Sequence, residues 1–247
     1  MLFVFLQTIG LMAQESRFKE GETLNIWASS GLNMRDKPDA KEAKVSTIPY
    51  GAKVFVQPNI GLKIPFEVEE FKGFMVKGYW LLVKYGNTEG FVFDGFLSRL
   101  PAPIKNDSTT LEDYFDNQIG KVGKIYNVMV TVRDTQTDDF VTRPIRANED
   151  INSIDCHSHK QKYKQGIISG HSTGEGGGGF SVEIPNITLY EGYFLAKIYS
   201  YDEKEHNISF EKKEKKVNMF LKESGAGCEC NIKQVGNKII IDGYCGC

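Results

Sequence analysis

Gly31-Leu32-Asn33-Met34-Arg35-Asp36-Lys37-Pro38-Asp39 is the stretch on which the fold reading turns. Leu32 and Met34 alternate with Asn33 and Arg35, the period-two mark of a half-buried strand. Proline, with its fixed φ, and the two aspartates then reverse the chain at 36–39. Working outward, 45–48 runs into a Pro49-Tyr50-Gly51 turn and 52–56 resumes as a strand. Trp80 to Tyr85 is a further strand, Gly86-Asn87 is a tight hairpin turn, and Gly90 to Phe93 returns antiparallel. Gly95-Phe96-Leu97 closes the unit. Short strands, glycine turns and no helical period predict a small β-barrel.

In their order, these motifs resemble the bacterial SH3-like (SH3b) domain. The Gly31 to Arg35 segment, Pro38, the Gly51 to Val56 strand, the Trp80 to Tyr85 strand, Gly90-Phe91-Val92 and Phe96-Leu97 carry the resemblance, over roughly residues 24–100. Residues 58–77 depart from it, being longer than the usual connection and rich in Ile, Phe, Gly and Pro. The resemblance implies recognition of cell-wall peptide or glycan, or of a protein partner.

The chain has 247 residues, enough for one large or two ordinary domains. A formal charge of −2, from 30 basic and 32 acidic residues, gives no global pull toward nucleic acid or anionic membrane. Residues 1–14 are apolar and end in Ala13-Gln14 before Glu15-Ser16-Arg17, which reads as the apolar region and cleavage site of an export signal without its basic flank. No later stretch is long enough to span a membrane as a helix. The expected organisation is therefore a signal at 1–14, an SH3-like domain at 22–100 able to fold alone, a linker with a possible short capped helix at 101–120, and a β-rich or α+β domain of unassigned family at 121–247.

In that second domain, 126–133 and 179–184 read as strands, 189–196 as a possible helix, and 193–199 is ambiguous between the two. The Glu/Lys run at 211–216 reads as a solvated strand edge, where lysines discourage edge pairing. The Gly-rich stretch 174–179 leads into a strand, not a helix whose N-terminus could hold phosphate, and reads as a hairpin connection.

There are five cysteines. Cys228, Cys230, Cys245 and Cys247 form two Cys-x-Cys pairs flanking a hairpin turned at Gly236-Asn237, which puts all four thiols on one face. That turn pairs Cys228 with Cys245; a turn one residue later pairs Cys230 with Cys245. With export, disulfides are expected among these four, and in a reducing compartment four thiolates could hold zinc instead. Cys156 lies in Asp155-Cys156-His157-Ser158-His159. Cell-wall peptidases of the NlpC type, to which SH3-like modules are commonly fused, carry an Asp-Cys-Ser-Gly-Phe motif. Here the Gly-aromatic part is missing and His171 follows too closely, so Cys156 and His171 are catalytic candidates only if a base lies in reach of the thiol. No cofactor and no metal set is assigned from sequence.

The expected activity is thus non-catalytic binding by an exported or periplasmic protein of peptidoglycan or an envelope partner; an exported hydrolase built around Cys156 is the alternative. Tyr79, Trp80, Phe91 and Phe93 could form an aromatic platform, with Trp80 and Phe91 expected to be mainly structural. The 60–77 insertion is the expected contact surface, which makes Tyr79, Phe66 and Phe71 the binding candidates.

Overall fold

The computed structural model describes residues 17–58, 64–104, 110–174, 176–199, 206–222 and 227–246. The expected signal at 1–14 and Cys247 lie outside the described residues. The fold is mainly β and is built from two antiparallel sheets.

The first sheet holds β1 (Thr23–Ile26), β2 (Leu32–Arg35), β3 (Lys44–Ile48), β4 (Lys53–Val56), β5 (Pro65–Phe71), β6 (Phe74–Tyr85), β7 (Thr88–Phe93) and β8 (Leu97–Ser98). Its path runs β3-β2-β7-β6-β4-β1-β8, with β5 paired to β6. Leu32 and Met34 are buried while Asn33 is exposed, and Val54 and Val56 are buried while Lys53 and Phe55 are exposed, as the alternation requires. Leu24, Ile26, Met34, Ile48, Val83, Val92 and Leu97 meet in one cluster although all belong to the same sheet. The sheet therefore curls around its own core. Gly86-Asn87 makes the two-residue turn between Tyr85 and Thr88, with Gly86 at φ 59°.

The second sheet holds β9 (Lys121–Arg133), β10 (Phe140–Pro144), β11 (His157–Tyr163), β12 (Ile168–Gly174), β13 (Gly177–Pro185), β14 (His206–Glu211), β15 (Lys216–Lys222), β16 (Gly227–Val235) and β17 (Lys238–Gly246), ordered β10-β9-β11-β12-β13-β17-β16-β15-β14. Helix α1 (Leu111–Tyr114) runs on as a π-helical turn, Phe115–Ile119. Thr110 and Asp113 close a capping box at its start.

Helix α2 (Leu189–Tyr199) joins the two sheets. Thr188 and Glu191 cap it reciprocally: the Glu191 carboxylate accepts from the Thr188 amide at 2.7 Å, and the Glu191 amide donates to Thr188 Oγ1 at 3.2 Å. Tyr190 through Ala196 are all buried. On one side Phe194 packs on Trp27 and Tyr50, Tyr193 on Phe71 and Phe74, and Tyr190 on Phe96. On the other side Gly192 approaches β16 and β17 so closely that a Cβ there would lie 2.5 Å from Ile239 Cγ2 and 3.0 Å from Ile232 Cγ2. The ambiguous stretch 193–199 is thus helical throughout.

Two further expectations change. The 60–77 insertion is, from residue 64 on, the β5–β6 hairpin turned at Lys72-Gly73 rather than a loop. Phe74 and Val76 from it are buried in the core beneath α2. The segment 101–104 is packed rather than free: the Tyr114 hydroxyl donates to the Pro101 carbonyl at 2.8 Å, Tyr50 donates to the Pro103 carbonyl, and the Ile104 amide donates to the Tyr199 hydroxyl at 3.0 Å. Trp27, Phe74, Val76, Phe93 and Leu100 of the first sheet's segment belong to the core that the second sheet and α2 complete.

Candidate functional site

A cleft of about 350 Å³ opens where the turn after β1, strand β2, the β5–β6 hairpin and α2 meet. Its aromatic lining comes from Phe66, Trp80, Phe93, Phe96 and Tyr190. Phe66 is the hub, 5.3 Å from Trp80 and edge-on to Phe93 at 5.2 Å between centroids. The far rim is backbone and small side chains from Ala28 to Asn33. Gly31 is required there: it sits at φ 83°, and a Cβ would lie 2.9 Å from the Ile48 carbonyl oxygen.

Two charged side chains line the cleft, Arg35 and Glu70. Arg35 donates to the Glu42 carbonyl. Glu70 accepts no hydrogen bond from any described residue. Burial pushes its carboxyl above the ordinary range, while the Lys197 ammonium on α2 pulls the other way. Tyr190 faces the same carboxyl, and its hydroxyl, raised chiefly by burial, donates to the Trp27 carbonyl at 3.3 Å. The cleft therefore presents a half-buried, acceptor-only charge among aromatic faces.

Of the expected binding residues, Phe66 lines this cleft and Trp80 forms its floor. Phe93 is buried rather than an exposed platform. Tyr79 is half-buried and lines, with Pro65, Phe66 and Lys77, a separate open groove on the hairpin; its amide donates to Asp94 Oδ1 at 2.6 Å. Phe71 packs into the joint between the sheets instead of facing a ligand. Glu70 and Tyr190 were not legible as site residues: Glu70 is one acid in an acidic strand, and Tyr190 comes from 110 residues further along the chain than Trp80.

On the other sheet, Cys156 precedes β11 and its carbonyl accepts from the Thr131 amide at 2.9 Å. No histidine hydrogen-bonds its thiol among the described residues, and it lines none of the clefts described here. His171 instead stands directly opposite His159 in the β11–β12 register, with ring centroids 5.7 Å apart. His157 stacks on His159 at 6.0 Å, and its Nδ1 bonds the Ile154 carbonyl at 2.7 Å. Burial lowers the His159 pKa, and the neighbouring His171 adds to the effect. Nδ1 of His159 is buried and has no hydrogen-bond partner among the described residues.

The C-terminal hairpin turns at Gly236-Asn237, pairing Val235 with Lys238 and Cys228 with Cys245. Cys228 and Cys245 are disulfide-bonded across β16 and β17, with Cα atoms 4.1 Å apart. Cys230 is buried in the core and faces Gly243 and Met219 in the flanking strands, so among the described residues the bridge joins one of the expected pairings. No helix of the described residues is long and apolar enough to cross a membrane. No protein-family model, curated protein or solved structure matches this chain.

Proposed function

We propose that this protein is an exported, non-catalytic binding protein whose SH3-like first sheet takes a cell-wall peptide bearing a primary ammonium group in the aromatic cleft. The observation that carries this reading is Glu70: a half-buried carboxylate that accepts no hydrogen bond from the described residues, set among Phe66, Trp80 and Tyr190. Half-burial leaves this carboxylate only partly hydrated, so its presence in a concave site favours a cationic ligand that completes its shell. An ammonium satisfies both parts of the lining at once. It donates to the carboxylate and is attracted by aromatic faces. The curled sheet and its strand series support the SH3-like assignment, and the Cys228–Cys245 disulfide is compatible with an oxidising, extracytoplasmic compartment. Cys156, whose thiol bonds no histidine among the described residues, lends the hydrolase reading no support.

The test is retention of the full chain on purified peptidoglycan sacculi, with and without acetylation of the sacculus amines. Wild-type protein is expected to bind native sacculi and to lose most retention on acetylated ones. Glu70→Gln is expected to weaken binding to native sacculi about tenfold, the loss of roughly 1.4 kcal/mol. Retention that is indifferent to both acetylation and the substitution would overturn the assignment.

A further inference from the structure

We propose that His159 and His171 form an open site for one divalent transition-metal ion of the Cu²⁺, Ni²⁺ or Zn²⁺ class, with water completing its shell. The two histidines are directly paired across β11 and β12, so their side chains leave the same face of the sheet side by side. Their ring centroids lie 5.7 Å apart. With metal–nitrogen bonds of about 2.0–2.1 Å, two imidazoles sharing an ion hold their centroids roughly 5 Å apart, so a small side-chain rotation closes the pair. Independently, His159 Nδ1 is a buried nitrogen without a hydrogen-bond partner among the described residues. Buried polar atoms in native proteins are almost always satisfied, and a metal ion between the rings gives this one its partner.

The surroundings fit an ion that keeps water ligands. His171 is exposed and lines a cleft of about 350 Å³ with Glu112 and Thr110 of the α1 end. No group of three or more His, Cys, Asp or Glu side chains converges as a closed cage among the described residues, which makes this a two-imidazole site. Imidazole donors select borderline transition metals over Mg²⁺ or Ca²⁺, which prefer oxygen. His157, the third ring of the row, bonds the Ile154 carbonyl through Nδ1 and contacts Thr173 Oγ1 at 3.3 Å, and it does not converge with His159 and His171 as a third ligand among the described residues. It serves as the internal control.

The experiment is a calorimetric titration of the oxidised full chain with NiCl₂, accompanied by NMR of the histidine C2–H resonances. One Ni²⁺ per chain is expected, with the His159 and His171 resonances perturbed first. His159→Ala and His171→Ala are each expected to weaken binding about tenfold or more, whereas His157→Ala and Cys156→Ser change it by less than about threefold, within roughly 0.7 kcal/mol. His159→Gln, which keeps volume and polarity, guards against a folding artefact, and circular dichroism verifies each variant. Absence of Ni²⁺ binding, an equal loss in the His157→Ala variant, or dependence on Cys156 would each overturn the site.

Discussion

Replacing Phe194 by alanine tests whether the two sheets are held as one unit through α2. The side chain is 5% exposed and sits between Trp27, Tyr50 and Tyr190 at ring separations of 5.8, 6.1 and 5.7 Å. The walls of the resulting cavity are held in place. Trp27 is fully buried, and its indole N–H donates to the Leu100 carbonyl at 3.2 Å. Tyr50 is tied to the Pro103 carbonyl, and Gly192 pins the helix against Ile232 and Ile239. Little collapse can fill the space, so the cost is at least the middle of the range for deleting a buried phenyl ring, about 4 kcal/mol. For a chain of this size that corresponds to a fall in Tm of roughly 8–16 °C.

Both tryptophans, Trp27 and Trp80, lie in the first sheet's segment, so their fluorescence reports that half, while hydrogen exchange of β16 and β17 reports the other. Both probes are expected to move together in Phe194→Ala. A loss under about 1 kcal/mol, or a shift confined to one probe, would refute a shared core. The same packing bears on segment 22–100 in isolation: it retains the inner cluster around Met34 and Val83 but uncovers Trp27, Phe74 and Phe93, so its Trp emission is expected to be red-shifted relative to the full chain.

Glu70→Gln should stabilise the protein at neutral pH and leave it unchanged in acid. The folded carboxyl titrates above its unfolded value, so its contribution is full below the unfolded pKa and is lost as pH rises through the folded one; thermal unfolding of both proteins at the two pH values checks this, and an equal difference at both would refute it. Reduction of the Cys228–Cys245 bridge, which spans a separation of 17 residues, should cost about 3 kcal/mol, read as a lower urea midpoint with an m-value that stays equal or rises as the unfolded chain loses its cross-link. Gly192→Ala should destabilise by about 1–3 kcal/mol through overpacking against Ile239 Cγ2, and the double variant Gly192→Ala/Ile239→Ala, which removes that methyl, should lose less than the sum of the two single variants.

How much of this was legible in the sequence follows from which interactions are local. The first sheet was readable because strand alternation and turn residues act within a few positions: Leu32 and Met34 against Asn33, Gly86-Asn87 between Tyr85 and Thr88. The C-terminal hairpin was readable for the same reason down to two registers, and the structure takes the one with its turn at Gly236-Asn237, which pairs Cys228 with Cys245. The β5–β6 hairpin was hidden although Phe66, Val68 and Glu70 alternate with exposed Pro65, Glu67 and Glu69. Charge at Glu67 and Glu69 made the stretch look like loop, and glycine at 73 like its flexible centre. Glu70 occupies an inward-facing position of that alternation, which sets it apart from the exposed Glu67 and Glu69.

Helix α2 shows why the rest could not be read. An amphipathic helix announces itself by polar residues on its solvent side, and a helix buried on every side has no such stripe. Leu189–Tyr199 meets the first sheet with Tyr190, Tyr193 and Phe194 and the second with Gly192, leaving Lys197 in its last turn, near Glu70, as its basic residue. Its one internal acid, Glu191, is 1% exposed and is neutralised by Arg17 at 2.6 Å, a partner 174 positions earlier that nothing in the local pattern could nominate. Such a sequence reads equally as a central strand until the second sheet is known to need a cover. The cleft inherits this nonlocality, because Tyr190 reaches it from that same helix. A site assembled at the joint of two sheets becomes visible only when the joint does.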